Sequence, residues 1–339
     1  MKIIRWGILG TGAIAKKFAS DLFLVEGAEL VAVGSRTKAS AEKFAKIFQV
    51  KYYHESYESL ARSQEVDVIY IATPHSLHYE NTILCLQNGK GVLCEKPFAM
   101  NIGQAKGMIS LAKEKNLFLM DALWTKFLPH CIKMQEMINV GMIGDVRSIL
   151  VNFGFKPMSP INPRLFDPKL GGGSLMDIGI YNVFLVLSIL GKPDEIVANM
   201  TPTPNGVDEQ CAINFYYKNG AMAQLFSSLS ANLPTEADIC GTEGRIRLTS
   251  NFYELSSTVE FYKDQHQMQT IQMIRESGFG YQYEARHVNE CLKKGLKESP
   301  IVNFADTLLL IDTIDRIRKV AGIHYRLMEQ QIKFKNPEK

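Results

Sequence analysis

Basic residues never run beyond short pairs such as Lys16-Lys17 and Lys293-Lys294 in this 339-residue chain, whose formal charge is only +3. A nucleic-acid surface needs a concentrated basic face, so that class of partner is not expected. No CxxC pair occurs among the six cysteines (Cys85, Cys94, Cys131, Cys211, Cys240, Cys291), and none has a histidine at ligand spacing. Neither a zinc site nor a disulfide framework is indicated, no metal is expected, and the cysteines read as reduced core thiols. The N-terminus lacks the charged stretch, long apolar run and small-residue cleavage site of a signal peptide, which leads to the expectation of a cytoplasmic protein. The longest apolar run, Val183 to Leu190, falls short of the ~20 residues that a bilayer requires, so no membrane partner is expected. Internal repeats and low-complexity tracts are also missing.

What is present is 46% hydrophobic and 22% charged residues, the balance of a well-cored globular protein. At ~100–200 residues per domain, the length predicts two domains. Through about residue 120, β-branched runs (Ile3 to Leu9, Leu30 to Val33, Val66 to Ala72, Gly91 to Cys94, Leu117 to Met120) alternate with helical-period segments (Ala13 to Asp21, Ala39 to Ile47, His78 to Asn88, Gln104 to Lys115). That alternation is the pattern of a doubly wound parallel sheet covered by helices on both faces. Beyond about residue 146 the period changes to two, as in Cys211 to Tyr217, the turn Lys218-Asn219-Gly220 and Ala221 to Leu229, which predicts an antiparallel hairpin. A long apolar helix from Ser174 to Leu190 precedes it, and amphipathic helices near Tyr283 to Leu296 and Phe304 to Ala321 follow. The expected class is α/β: a Rossmann domain over 1–122, then an α+β domain over 123–339 with a large, mostly antiparallel open sheet for substrate binding and dimerisation.

Gly10-Thr11-Gly12-Ala13-Ile14-Ala15 is GxGxxA, set between the first strand and the first helix. Gly10 permits the tight turn, Gly12 lets backbone approach a pyrophosphate, and Ala15 allows close helix packing, so the helix N-terminus can hold phosphates. An enzyme that prefers NAD usually carries an acid at the end of the second strand; here Val33-Gly34 is followed by Ser35-Arg36-Thr37-Lys38. Arg36 can pair with a 2′-phosphate, and the Ser35 and Thr37 hydroxyls can donate to it, so NADP(H) is the expected cofactor and NAD(H) the second option. The bland reading of Arg36 and Lys38 is a solvated turn.

Gly10 to Ala15, Ala72-Thr73-Pro74-His75-Ser76-Leu77-His78 and Cys94-Glu95-Lys96-Pro97 together resemble the glucose-fructose oxidoreductase, inositol dehydrogenase and rhizopine catabolism (Gfo/Idh/MocA) family. The resemblance extends through Asp121 to Phe127 and Leu170 to Tyr181, and is strongest to the branch that acts on dihydrodiols and xylose. It implies a Rossmann domain followed by a large open sheet, often used to form a homodimer or a dimer of dimers. It also implies that Thr73, Pro74, His75 and His78 line the cofactor cleft and that the Lys96-Pro97 bond is cis.

Chemically, Lys96 at a strand's carboxyl end can hydrogen-bond a reacting hydroxyl and stabilise its alkoxide, while Glu95 orients it or meets the nicotinamide ribose. Asp177 and Tyr181 are four apart on an apolar helix and would share one face. Many family members carry His where this chain has Tyr181. A phenol beside a lysine can serve as general acid or base, with Asp177 orienting substrate or relaying a proton; the residues leave open whether Lys96 or Tyr181 moves the proton. Without the resemblance, a core tyrosine is an equal reading. Trp124, Phe153, Phe155 and Phe279 are candidates for an apolar wall against a ring, though core packing is the default for each phenylalanine, and Arg164 is a candidate for binding substrate hydroxyls. Gly171-Gly172-Gly173 either lets backbone approach a ligand or launches the helix.

The expected function is metal-free hydride transfer between NADP(H) and a secondary alcohol or hemiacetal of a sugar, cyclic polyol or trans-dihydrodiol. The alternatives are a glycosidase that retains its dinucleotide, and a non-catalytic sensor on the same fold.

Overall fold

The computed structural model describes residues 3–158, 162–264 and 266–325, and it divides into two compact units. The first combines the chain up to Leu128 with Arg275–Ile311; the second combines Pro129–Ile274 with the chain from Asp312 onward. The sequence reading assigned everything after 122 to one domain. The compact division instead returns 275–311 to the first unit, because the partner of an amphipathic helix is a non-local property that its own periodicity does not encode.

The first unit runs β1 (Ile4–Leu9), α1 (Ala13–Leu22), β2 (Ala28–Gly34), α2 (Lys38–Phe48), β3 (Tyr52–His54), α3 (Tyr57–Ala61), β4 (Val68–Ile71), α4 (His78–Gln87), β5 (Gly91–Glu95), α5 (Ile102–Glu114) and β6 (Leu119–Ala122). Its strands lie in the order β3-β2-β1-β4-β5-β6 and all pair in parallel. Burial on both faces explains why β4 and β5 read as continuous apolar runs: every residue of both is buried. In α1 the buried Ala15, Phe18, Ala19 and Leu22 form the stripe that faces the sheet. The short β3 and α3 were not anticipated, since three and five residues show no measurable period.

The second unit runs α6 (Pro129–Asn139), β7 (Val146–Gly154), α7 (Ile180–Leu190), β8 (Glu195–Pro202), β9 (Asp208–Tyr216), β10 (Met222–Ser228), β11 (Ala237–Gly241), β12 (Arg245–Leu248), β13 (Val259–Lys263) and β14 (His266–Ile271). These strands build an eight-stranded sheet in the order β14-β13-β12-β11-β7-β10-β9-β8. All its pairings are antiparallel except β7 with β10. The hairpin is where its turn predicts, Met222 opposite Tyr216. The stretch Pro168–Leu190 is long and apolar enough to cross a membrane, with mean hydropathy 1.7 over an 18-residue window, yet 78% of that window is buried within the fold and serves as a core element. It is not one regular helix as expected: a π-turn, Leu175–Gly179, precedes α7.

The chain then forms α8 (Tyr281–Lys293) in the first unit, and α9 (Phe304–Ala321), within which the division between units falls. What fixes α8 is a carboxylate on α1. Asp21, almost wholly buried, accepts the amides of Phe279, Gly280 and Tyr281, each at 2.9 Å. Those are leading amides that a helix cannot satisfy internally. Gly278 has φ +112°, and a Cβ there would lie 2.7 Å from Asp21 Oδ1, so glycine is required for the approach. Trp6 Nε1 donates to Asn289 Oδ1 at 2.9 Å, and Trp124 stacks on Tyr281 with centroids 4.6 Å apart, completing the attachment. Asp21→Ala strands these buried amides, and we expect a loss of about 3 kcal/mol or more of the first unit's stability, read from its urea unfolding. A loss below about 1 kcal/mol would show that solvent replaces the carboxylate freely.

Candidate active site

In the first unit, the loops that follow β1, β4 and β5 leave the carboxyl ends of three adjacent strands, and the strand order reverses between β1 and β4. Open α/β sheets bind ligands at such a reversal. Gly10 has φ +111°, and a Cβ on it would lie 2.7 Å from the Ala72 carbonyl oxygen, so the tight turn demands glycine. Gly12 is the N-cap of α1; no side chain caps it, and a Cβ there would meet nothing within 4 Å. The leading amides of α1 and the open space over Gly12 therefore fit a pyrophosphate. Thr11 Oγ1 lies 3.4 Å from Ser35 Oγ, which connects this loop to the end of β2. Ser35 is buried and Arg36 exposed, while Thr37 caps α2: its Oγ1 accepts the Ser40 amide and donates to Ser40 Oγ.

His78 is fully buried, and its ring nitrogens lie 2.8 Å from the Pro97 carbonyl and 2.9 Å from the Thr73 carbonyl. It therefore fastens the β4 loop to the β5 loop, with Asn81 Nδ2 donating to Thr73 Oγ1 at 3.1 Å beside it. His75 is buried edge-on to His78. The Lys96-Pro97 peptide is cis. Glu95 Oε2 accepts the Lys96 amide at 3.1 Å, and Glu95 Oε1 accepts the hydroxyl of Tyr70, whose ring stacks on Phe18 at 3.7 Å. Glu95 is thus a buried acceptor that joins Tyr70 to the Lys96 backbone.

Two further carboxyls near Glu95 escaped the sequence reading. Asp121 on β6 faces Cys94 in the β5–β6 pairing, and Glu284 sits on α8; both are buried, and neither's oxygens have a hydrogen-bond partner among the described residues. A signal existed: Asp121 interrupts the apolar run Leu119-Met120-Asp121-Ala122, and Glu284 lies on the stripe Tyr281, Glu284, Val288, Cys291. Burial, with Glu95 nearby, pushes Asp121 up to about 8 against a smaller pull from Lys96. Burial, with Glu95, Asp121 and Asp21, holds Glu284 well above the carboxylate range. Both shifts favour the neutral carboxyl, while Glu95 accepts from Tyr70 and from the Lys96 amide.

In the second unit, Arg164 Nη2 donates to Asp177 Oδ1 at 3.0 Å. Asp177 lies in the π-turn and Tyr181 in the first turn of α7, so the four-residue spacing is not that of a continuous α-helix. Tyr181 packs 5.3 Å from Tyr253 and 5.8 Å from Phe153, and Phe153 stacks on Tyr253 at 4.2 Å. Phe155 lies 6.4 Å from Phe153. Tyr253, in the loop after β12, went unread because nothing in its local sequence separates it from any surface tyrosine. Of the other predicted wall residues, Trp124 is buried with one face on Tyr281, and Phe279 is 47% exposed with Lys17 Nζ 5.2 Å over its ring.

Residues 4–122 match the oxidoreductase family with an NAD-binding Rossmann fold, and residues 131–247 match the GFO/IDH/MocA C-terminal domain. The trans-1,2-dihydrobenzene-1,2-diol dehydrogenase of Xenopus laevis is 37% identical over 95% of this chain and 99% of its own length. The enzyme of the same name from Mus musculus is 36% identical over 95% and 98%. Among solved structures, KijD10, a 3-ketoreductase from Actinomadura kijaniata in complex with NADP and TDP-benzene, superposes with TM-score 0.84 at 26% identity, covering 94% of this chain and 98% of its own. The chain belongs to the Gfo/Idh/MocA family. It is an NAD(P)-dependent dehydrogenase or reductase.

The buried acids carry a stability signature. Folded Asp121 holds a proton up to about pH 8, whereas the unfolded chain releases it near 4, so stability falls as pH rises through that window. We expect Asp121→Asn to lose less stability than wild type between pH 5 and pH 8 in denaturant titrations; parallel curves for the two proteins would refute the assignment.

Proposed function

We propose that the protein transfers hydride reversibly between NADP(H) and the CH–OH carbon of a small cyclic diol or sugar. The observation that carries this reading is the adjacency, at neighbouring strand ends, of the uncapped Gly10–Gly12 loop, the His78-fastened loop and Lys96 braced by Glu95. The relatives named for dihydrodiol oxidation, which match this chain over 95% of its length, support the substrate class.

Preference for NADP(H) rests on the end of β2, where Ser35-Arg36-Thr37 replaces the acid that would bind ribose hydroxyls and would repel a 2′-phosphate. Arg36 is exposed there and free of any carboxylate neighbour in sequence, suited to pair with a phosphate. When bound, the nicotinamide supplies the hydride acceptor or donor. Lys96 is assigned to hydrogen-bond the substrate oxygen and stabilise the alkoxide that forms as hydride leaves carbon. Tyr181 is assigned to take the hydroxyl proton in oxidation and return it in reduction, and Asp177, held by Arg164, to orient a second hydroxyl. Phe153 and Tyr253, stacked beside Tyr181, offer an apolar surface for a ring.

Mixing the protein with NADP⁺ and a panel of aldoses, inositols and trans-dihydrodiols tests the reading through cofactor absorbance. Turnover is expected, with Lys96→Ala and Tyr181→Phe each lowering kcat about 10²-fold or more while NADPH fluorescence titrations stay unchanged. Silence across the panel despite tight NADPH binding would overturn the proposed substrate class. Separately, Arg36→Ala is expected to raise the KM for NADP⁺ about tenfold or more and leave that for NAD⁺ unmoved. Equal KM values for the two cofactors in the unaltered protein would remove the preference.

A further inference from the structure

The three glycines Gly171-Gly172-Gly173 are explained by what packs on them. A Cβ on Gly172 would lie 2.7 Å from the carbonyl oxygens of Arg164 and Leu165, and Gly173, at φ +116°, lies so close to Asp208 that a Cβ would overlap Oδ1. Gly173 N donates to the Leu165 carbonyl at 2.9 Å, and the Tyr325 hydroxyl donates to the Gly172 carbonyl at 2.6 Å. The run thus lets two groups close on the start of the π-turn: the segment that carries Arg164, and the Asp208 carboxylate.

Asp208 opens β9 and is fully buried. Its Oδ2 accepts the Leu175 amide at 2.6 Å and the Ser174 hydroxyl at 2.7 Å, and Ser174 Oγ lies 2.9 Å from Ser227 Oγ on β10. Its Oδ1 has no hydrogen-bond partner among the described residues. A neutral side chain would cap this turn without the cost of burying a charge, so a carboxylate here calls for a reason beyond capping. The turn that Asp208 grips is the one that contains Asp177 and leads directly to Tyr181. A π-turn has wider, weaker internal bonding than an α-turn, so its geometry depends on external anchors.

We propose that Asp208 is a positioning residue for the hydride-transfer reaction, its charge fixing the π-turn that presents Asp177 and Tyr181. This rests on the reading of those two residues as site groups. The charged and titratable groups that bear on Asp208 are Arg318 on α9, Tyr325 beyond it and Cys211 on β9; of these only Arg318 is a cation. Burial pushes Asp208 up to about 6, with the Leu175 amide, the Ser174 hydroxyl and Arg318 pulling it down. The ionised form that grips the turn therefore holds above about pH 6 and is lost below it, inside the range where turnover is measurable.

Profiles of kcat from pH 5 to 8, with KM for NADP⁺ measured in parallel, test this for wild type, Asp208→Asn, Ser174→Ala and Tyr181→Phe. Wild type is expected to lose turnover on the acid side with an apparent value near 6. Asp208→Asn is expected to lower the plateau about tenfold, abolish that acid limb, and leave KM for NADP⁺ within about twofold. Ser174→Ala retains the charge but removes one donor to it, so its acid limb is expected to move to higher pH. An Asp208→Asn protein with wild-type kcat, or with reduced kcat and an intact acid limb, overturns the proposal. Should Asp208→Asn not fold, an unmoved limb in Ser174→Ala overturns it and a raised one supports it. If Tyr181→Phe retains turnover, the site reading falls and this proposal with it; if only Tyr181→Phe loses turnover, the role of Asp208 alone is refuted.

Discussion

The carboxylate of Asp21 accepts the amides that open α8, which begins 260 residues later in the chain, and the makeup of the first unit depends on that bond set. Local preference gives α8 an amphipathic stripe but no address. The address is supplied by unsatisfied helix-terminal amides meeting a buried acceptor, an arrangement that is costly to leave half made. Once α8 is in place it brings Tyr281 to Trp124, Asn289 to Trp6, and a carboxyl, Glu284, into the neighbourhood of Glu95.

The same physics, charge in a dry environment, recurs behind Lys96 and beneath the π-turn. Where several acids are buried together, desolvation and mutual repulsion disfavour their anions. Behind Lys96, Glu95 accepts from Tyr70 and from the Lys96 amide, while burial and the neighbouring acids push Asp121 and Glu284 up. In the second unit Asp208 has the Leu175 amide and the Ser174 hydroxyl as donors and Arg318 as a cation that pulls it down, and its acidity is weakened less than that of Asp121. Each unit thus places a buried carboxylate one step behind a residue assigned to the chemistry, where it sets geometry and charge without needing to touch a substrate.

Several features were legible before any coordinates. The parallel sheet followed from apolar runs separated by helical periods, the nucleotide loop from Gly10 and Gly12 at a strand end, and the hairpin from Lys218-Asn219-Gly220. Lys96, Asp177 and Tyr181 were singled out from motif context. Less legible were features whose meaning lies in a distant partner. Arg164, read as a candidate for binding substrate hydroxyls, is paired with Asp177 in the fold; His78, read as lining the cofactor cleft, also fastens two loops; and Thr37, read as a phosphate donor, also caps α2. Tyr253 and Asp208 carried no local signal that could have set them apart.

By itself, the sequence determined the order and type of the main elements, the two sheet classes and the family, because periodicity, turn chemistry and glycine placement act over a few residues and survive without a partner. Only the tertiary structure decided which unit α8 joins, that the helix carrying the site residues opens as a π-turn, and which acids are buried and shifted. Those depend on desolvation and on contacts across long stretches of chain, and no window of sequence contains both members of such a pair.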